Sequence, residues 1–418
     1  MNILILGGGG REHALAWAFS QNPKCARLVM APGNGGMAAL GPCVPIDIND
    51  GAAVVALARA EEIDLVVIGP EAPLVAGVAD AVRAAGIACF GPSAGAAQLE
   101  ASKQFTKEVC AACNAPTARS AYFEAVEPAL AYLEERGAPI VVKADGLAAG
   151  KGVTVAEDMD QARGAVRAIF EGQQSEGAAV VIEEKMEGDE ASLFVLCDGQ
   201  TALPFGTAQD HKRAFDGDMG PNTGGMGAYS PAPIADAKLV SRAMDEIVTP
   251  TLAEMAARGT PFQGVLYVGL MIQNGAPRLV EYNVRLGDPE CQVLMMRLGG
   301  QALDLIDACA SGRLAGMQVH WADDHALTVV MAAQGYPGAY GTGEVLGGLD
   351  LRMPGSVVFH AGTVQNGAEI LSAGGRVLNV TARGPSLAAA RDLAYGRLEA
   401  VAWPGAMYRR DIGWRALT

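Results

Sequence analysis

The chain reads as an α/β multidomain protein. It should comprise an N-terminal open parallel α/β sheet domain, a central pair of α+β units and a C-terminal β-rich domain. Three observations predict this. The first hundred residues alternate short, unbroken apolar runs with segments of helix length. After Ser102 that rhythm gives way to helices and hairpin-like strand pairs, and from about residue 325 strand-length apolar runs dominate. At 418 residues the chain exceeds one ordinary core, so roughly two to four packed domains are expected. The changes of pattern place them at 1–101, 102–324 (with a compact small unit at about 117–188) and 325–418.

Residues 2–6 form a continuous apolar strand, the following glycines turn the chain, and 13–20 is a helix. The next strand, 26–30, is closed by Ala31-Pro32-Gly33-Asn34. A helix at 54–60 leads to a strand at 65–68 ending in Gly69-Pro70-Glu71, then come a helix at 75–85 and a strand at 87–90 stopped by Gly91-Pro92. Strands this uniformly apolar suit a parallel sheet covered on both faces, with ligands at the loops beyond the strands' carboxyl ends. A helix at 103–113 ends before Pro116, and a second spans 126–136. Strands at 140–144 and 153–156, joined by 145–152, a helix at 159–170 and a strand at 179–184 complete the small unit. Polar-glycine loops follow, with a short strand at 278–280 running into Glu281. The tail carries strands at 327–332, 356–361 and 376–382 and a helix at 386–400. No internal repeat or disordered linker interrupts this order.

Lys plus Arg number 31 against 46 Asp plus Glu, a net charge of −15 and a pI near 4.8. Such a field disfavours non-specific binding to nucleic acid or an anionic membrane, so neither is expected as a partner. The 53 glycines are clustered, as in loops that approach ligands closely. Of eight dispersed cysteines only Cys110 and Cys113 are close, in an alanine-rich helical stretch with no second CxxC, so they read as a buried helix face. The pattern suits a reduced cytoplasm. No apolar run approaches the roughly 18 residues of a membrane helix, and residues 1–6 lack the basic leader of a signal peptide.

Five segments carry chemistry. Gly7-Gly8-Gly9-Gly10-Arg11-Glu12-His13 follows a strand and opens a helix. GxGxxG fails, since the sixth position is Glu12 from Gly7 and His13 from Gly8, and the second strand ends in Pro-Gly-Asn rather than a ribose-binding acid. Outward backbone N–H groups still make a seat for one phosphate, which favours a sugar phosphate over a nicotinamide cofactor; a glycine turn without a ligand is the alternative. Asp145-Gly146-Leu147-Ala148-Ala149-Gly150-Lys151-Gly152 is no Walker A, having three residues between Gly146 and Gly150-Lys151 and Gly152 where Ser or Thr belongs. A β-loop-β flap over a triphosphate fits better, with Lys143 and Lys103 as cations; a plain glycine hairpin leaves those two lysines unexplained. Glu183-Glu184-Lys185-Met186 ends an apolar strand, with Glu190 close behind. A base against Met186 and a ribose on Glu190 would suit it, and a solvated strand end fits the local residues equally well.

The stretch 220–227, after Asp210-His211-Lys212-Arg213, has no hydrophobic period. Long polar-glycine loops in compact domains are commonly functional, and this one reads as closing over a substrate. In 281–290, Glu281, Asn283 and Arg285 project from one side of an extended chain. Carboxylate and amide oxygens are hard ligands suited to Mg²⁺, and a guanidinium can fork onto a phosphate. An exposed strand end of mixed charge is the alternative here.

In this order the segments resemble the ATP-grasp superfamily and, within it, the glycinamide ribonucleotide synthetases, also called phosphoribosylamine–glycine ligases. The resemblance runs through GGGGREHALAW at the start, GPEAPLVAG at 69–77, FGPSAGAAQLE at 90–100, KADGLAAGKGV at 143–153 and QDHKR at 209–213. It continues in GPNTGGMGAYSPAP at 220–233, RLGDPE at 285–290, VVMAAQGYPG at 329–338 and RDIGWRAL at 410–417. It implies a sugar-phosphate-binding N-terminal domain, a central ATP-grasp pair and a C-terminal domain completing the core, with ATP between the small unit and the strand bearing Glu281. Carried onto this chain, Lys103, Lys143, Gly150, Lys151 and Gly152 hold the phosphates, and Glu183, Glu184, Lys185, Met186 and Glu190 hold adenosine. The resemblance further implies Mg²⁺ or Mn²⁺ on Glu281 and Asn283. Gly8, Gly9, Gly10, Arg11, Glu12, Pro32, Gly33 and Asn34 serve the amine substrate; Asp210, Asn222, Thr223, Gly224, Gly225, Arg285 and Asp288 orient substrates. Arg285, Lys143 and Asp288 are the catalytic candidates, and His211 positions rather than acts as a base. The strand before Glu281, 264–272, lacks the further acidic metal ligand of many ATP-grasp enzymes, so phosphate and water must complete the coordination.

The implied reaction is ATP-dependent ligation of glycine to 5-phosphoribosylamine through glycyl phosphate, a carbon–nitrogen ligase step of de novo purine biosynthesis, in a cytoplasmic monomer. Another ATP-grasp carboxylate–amine ligase would differ at 7–13 and 220–227. A non-catalytic nucleotide sensor is the other rival, and the intact Glu281, Asn283, Arg285 set argues against it.

Overall fold

The computed structural model describes residues 1–147, 152–172 and 178–417. The N-terminal strands Asn2–Gly7, Arg27–Pro32, Leu65–Ile68 and Ala88–Phe90 form an all-parallel sheet in the order second, first, third, fourth. Its apolar runs face two cores: Leu4 and Leu6 pack into one, Ile3 and Ile5 into the other. Helix Gly10–Ser20 opens directly after the first strand. The helix expected over 75–85 is instead two, Glu71–Val75 and Val78–Ala84, because Gly77 adopts a left-handed φ of 81° between them.

Strands Ser120–Phe123, Val180–Glu184, Ile140–Ala144 and Val153–Ala156 make a small antiparallel sheet in that order. Helices Val126–Arg136 and Met159–Gly172 cover one face through Ala129, Leu133, Ala162 and Val166. Each helix repeats apolar residues at three- to four-residue spacing, as a one-sided core requires. Helix Lys103–Cys113 precedes this unit, its start capped by Ser102, whose hydroxyl accepts from Phe105 N at 3.1 Å. Such a cap contributes about 1 kcal/mol.

The third sheet runs continuously from the central region into the C-terminal one. Its order is Ala276–Asn283, Gln263–Gln273, Asp189–Asp198, Ala202–Asp210, Gly227–Ser230, His325–Ala333, Arg376–Gly384 and Ser356–His360. Gly227–Ser230 pairs with Ala202–Asp210 on one side and His325–Ala333 on the other, which joins the two regions. Alternation again splits the faces: Leu193, Val195 and Cys197 enter the first core, Phe194 and Leu196 the second. These are the cores beneath the N-terminal sheet, so the two sheets share their interiors. Helix Leu387–Leu398 buries Ala390, Ala394 and Leu398 in a third core. Arg213–Phe215 and Met219–Asn222 form a separate two-stranded hairpin where the sequence reads as an aperiodic loop. Among the described residues no helix is long and apolar enough to cross a membrane.

Candidate active site

The strand Ala276–Asn283 alternates as its sequence requires. Tyr282 and Val284 are buried, and Glu281, Asn283 and Arg285 lie on the opposite, partly open face. The register against Gln263–Gln273 slips between Gly269 and Leu270, leaving Val280 unpaired. Such a bulge re-aims the residues after it. The Val280 carbonyl accepts instead from Lys143 Nζ, 3.3 Å away, so the small sheet is tied to the strand at the residue before Glu281.

Lys143 is buried and pairs with Glu183 Oε2 at 2.8 Å, while Lys107 Nζ meets Glu183 Oε1 at 3.0 Å. The Glu183 side chain is therefore a shared counter-ion for two lysines. Glu184 is held by Arg278 and by Arg119 (2.9 Å). Burial alone would raise its pKa, but those hydrogen bonds prevail and hold it at about 2. Lys185 pairs with Glu157 at 2.7 Å, and Met186 is half-buried beside it. Lys103 donates to Gly146 O at 2.9 Å, and its backbone N–H to Asp145 Oδ1 at 2.6 Å, so the start of the 145–152 loop is fastened to a helix N-terminus. Burial draws the Lys103 ammonium below the usual lysine range despite Glu281 and Asp145 nearby. Gly152 accepts from Ala144 N at 2.8 Å; Gly150 and Lys151 lie outside the described residues.

On strand Asp189–Asp198, Glu190 Oε2 lies 2.6 Å from Lys212 Nζ. Burial opposes the Lys212 charge, but Glu190 and Asp210 outweigh it and keep the ammonium well above its ordinary range. Burial raises Asp210; burial and the Asp210 carboxylate together push Glu290 up to about 7.

Arg285 is less free than its motif suggests. Its guanidinium spans Glu100 Oε1 (2.8 Å), Asn283 Oδ1 (3.1 Å) and Glu71 Oε2 (3.3 Å), joining the end of strand Ala276–Asn283 to the N-terminal domain. Val284 N also donates to Glu100 Oε2 at 2.7 Å. Three residues on, Asp288 Oδ2 stands 3.4 Å from Arg11 N at the start of helix Gly10–Ser20, and Gln292 donates to its other oxygen at 2.8 Å. Burial would raise Asp288, but Arg376 and Arg11 lower it. Arg376 donates to Gly224 O and Asp288 O, both at 2.6 Å.

The glycine turn is shaped by Glu12, which accepts from Gly9 N at 2.6 Å and from Arg11 Nε at 2.5 Å. Arg11 Nη1 donates to Leu286 O at 3.0 Å. A Cβ on Gly8 would stand 2.4 Å from Gly33 O, and one on Gly10 2.3 Å from Asn379 Nδ2, so backbone packs where side chains have no room. Asn34 donates to Gly8 O and His360 O, both 2.9 Å away, and closes the turn after the exposed Pro32. Thr223 bonds twice to Lys212 O (2.8 and 2.9 Å), Asn222 pairs with Arg213, and Gly225 lies against Pro289. His211 is fully buried, accepts from Gly413 N at 3.2 Å, and burial with Arg409 nearby lowers it to about 3. A neutral, enclosed imidazole of this kind is a packing element.

The same order of units appears in known proteins. Models of the phosphoribosylglycinamide synthetase N domain, ATP-grasp (A) domain and C domain match residues 1–100, 101–291 and 326–415. The chain belongs to the phosphoribosylglycinamide synthetase family. It is 56% identical over 419 residues to the phosphoribosylamine–glycine ligase of Mesorhizobium japonicum, covering 100% of this chain and 99% of that protein. To that of Rhizobium meliloti it is 54% identical over 418 residues, with the same coverage. The crystal structure of the Thermotoga maritima phosphoribosylamine–glycine ligase superposes with a TM-score of 0.86 at 32% identity, covering 98% of this chain and 100% of that one.

The ATP-grasp fold of the family implies ATP and a divalent metal. Glu281 and Asn283 fit such an ion: both offer hard oxygen donors from one face, and among the described residues the Glu281 carboxylate makes no hydrogen bond or ion pair. Among the described residues no group of three or more His, Cys, Asp or Glu could hold a metal, so two protein ligands leave the rest to phosphate and water. Sequence reasoning passed over Lys107, Glu71, Glu100, Arg376 and Asn379. Glu71 and Glu100 lie within segments carrying the resemblance; Arg376 and Asn379 have no local signal and reach the site only through the fold.

Proposed function

We propose that this chain catalyses ATP-dependent ligation of glycine to 5-phosphoribosylamine, giving glycinamide ribonucleotide, ADP and phosphate. One observation carries this reading. The stretch 280–288 meets Lys143 of the small sheet at one end and the glycine turn, through Arg11, at the other. A nucleotide tail and a sugar phosphate held at those two places would be brought to one strand.

In this reading a glycine carboxylate oxygen attacks the γ-phosphorus of ATP and ADP leaves, forming glycyl phosphate. The amine of 5-phosphoribosylamine then attacks the acyl carbon, phosphate departs with the acyl oxygen, and the nitrogen loses a proton to give the amide. Lys103 and Lys143 offset the triphosphate charge, and fixed cations aimed at a developing charge are commonly the largest catalytic contribution. A divalent ion at Glu281 and Asn283, Mg²⁺ or Mn²⁺, would supply further neutralisation. Arg285, held between Glu71 and Glu100, fixes the strand end that carries Glu281 and Asn283. Asp288, Thr223, Gly224 and Gly225 line the acceptor side; holding two small reactants in register removes much of the entropic barrier. Glu190 and Met186 serve adenosine, and Gly8, Gly9 and Gly10 the sugar phosphate. We take the functional units to be 1–101, 102–324 and 325–418, in a cytoplasmic monomer without nucleic-acid partners.

The test is ADP release with Mg-ATP and glycine, with and without phosphoribosylamine generated from ribose 5-phosphate and ammonia. ADP and a product of the mass of glycinamide ribonucleotide should appear only with the complete set. ADP formed with a different acid or amine would discard these substrates, and ATP binding without ADP under every combination would favour a sensor.

A further inference from the structure

Among the described residues the hairpin of Arg213–Phe215 and Met219–Asn222 pairs only with itself, and an isolated two-stranded hairpin is marginal in water. Apolar burial does not fix it, since Phe215 is 51% and Met219 65% exposed. Yet its two ends enter the site, through Lys212 beside Glu190 and through Thr223 and Gly225 beside Asp288-Pro289. Something else must hold it.

The segment 409–415 does so. Arg409, with no exposed side-chain surface, sends Nη1 to Asp218 Oδ1 at 2.8 Å and to Arg213 O at 3.2 Å, while Nε and Nη2 fork onto Asp411 at 2.8 and 2.7 Å. Asp411 Oδ2 accepts from Gly217 N at 2.8 Å, and Asp216 Oδ1 from Arg410 N at 2.7 Å. Arg415 meets Asp218 Oδ2 at 2.6 Å and Asp210 O at 3.3 Å, and Gly413 N donates to His211. The first strand of the hairpin at Arg213, its turn at Asp216–Asp218 and the residues entering it are thus gripped from a segment about 190 positions away.

We propose that 409–415 is a strap that holds the substrate-side hairpin in its working position, with Arg409 as the central positioning residue. This rests on the ligation reading above. Only a guanidinium can span both carboxylates and the Arg213 carbonyl at once; a lysine ammonium is a point charge and reaches fewer of them. Loss of the span leaves the substrates bound by their other contacts but displaces Lys212 and the 223–225 turn, and small misplacements of this kind are costly in rate.

The experiment measures kcat and each KM for Arg409→Lys, Arg409→Ala, Asp218→Asn and the Arg409→Lys/Asp218→Asn pair, with the folded fraction followed by thermal unfolding. Expected are kcat losses of roughly 10- to 100-fold in the folded variants, partial recovery from Ala to Lys at 409, and a double variant no worse than its poorer parent. The KM for glycine and amine should move more than that for ATP. If Arg409→Ala does not fold, Arg409→Lys and Asp218→Asn carry the test. Folded variants with wild-type kcat and KM, or losses that merely track the unfolded fraction, would overturn the strap. A wild-type enzyme that forms no product would instead overturn the ligation reading beneath it.

Discussion

Glu183 Oε2 lies 2.8 Å from Lys143 Nζ, with both side chains almost completely buried. The two come from adjacent strands of the small sheet, Val180–Glu184 and Ile140–Ala144. This pair, extended by Lys107, aims Lys143 at the carbonyl before Glu281 and keeps its charge compensated out of water. Removing one partner of a buried ion pair strands the other. Glu183→Gln should therefore lower the unfolding free energy by about 3–5 kcal/mol, measured by urea denaturation. A loss below about 1 kcal/mol would mean that the pair is worth no more than an exposed one.

Glu281 should behave in the opposite way. Its carboxylate makes no hydrogen bond or ion pair among the described residues, and Lys103 feels it only at longer range, so Glu281→Ala should change stability by no more than about 0.5 kcal/mol. Ligation should fall by roughly 100- to 1000-fold, together with the response of ATP binding to added Mg²⁺ or Mn²⁺. Full activity in a folded variant would remove Glu281 as a metal ligand.

The glycines divide sharply by what surrounds them. Gly8→Ala drives a methyl to 2.4 Å from the Gly33 carbonyl, and the backbone there cannot yield cheaply. It should cost about 1–3 kcal/mol and raise the KM for the amine substrate. Gly164, inside helix Met159–Gly172, has nothing within 4 Å of a Cβ, so Gly164→Ala should stabilise by about 0.5–1 kcal/mol. Equal effects from the two substitutions would contradict the packing described for the glycine turn.

Much of this was legible locally. Helix Lys103–Cys113 and strands Ile140–Ala144 and Val153–Ala156 fall where apolar periodicity and the flanking turns put them. The alternation around Glu281, Asn283 and Arg285 is likewise visible in the sequence, because period two places buried Tyr282 and Val284 between them. What escaped is set by distant partners. The 213–222 hairpin has no hydrophobic repeat because arginines of 409–415, rather than an apolar face, hold it. Arg285 reads as a free phosphate ligand until Glu71 and Glu100 are brought beside it. The continuity of the large sheet through Gly227–Ser230 is a long-range pairing that no local pattern announces.

Buried titratable groups set the pH response. Burial holds His13 and His211 at about 3 and His360 at about 4, below their unfolded value of about 6.5. A depressed group contributes stability that is present above its unfolded pKa and is lost as pH falls toward the folded one. Below pH 6.5 each histidine should thus cost up to about 1.4 kcal/mol per pH unit. Glu290 works the other way. Raised to about 7, it contributes stability below its unfolded value of about 4.3 that is lost as pH rises through 7. Wild-type stability should fall on acidification from pH 6.5 to 4.5, and Glu290→Gln should steepen that fall by about 1.4 kcal/mol per unit. Denaturation curves across this range give both slopes; identical slopes would place Glu290 in an ordinary solvated setting.

Transfer of the γ-phosphoryl group to glycine can be followed atom by atom. With glycine carrying ¹⁸O in both carboxylate positions, one labelled oxygen should leave with inorganic phosphate and the other remain in the amide of glycinamide ribonucleotide, as mass spectrometry of both products would read. Phosphate free of label, or label appearing in AMP, would contradict a glycyl phosphate formed between Lys143, Glu281 and Asn283.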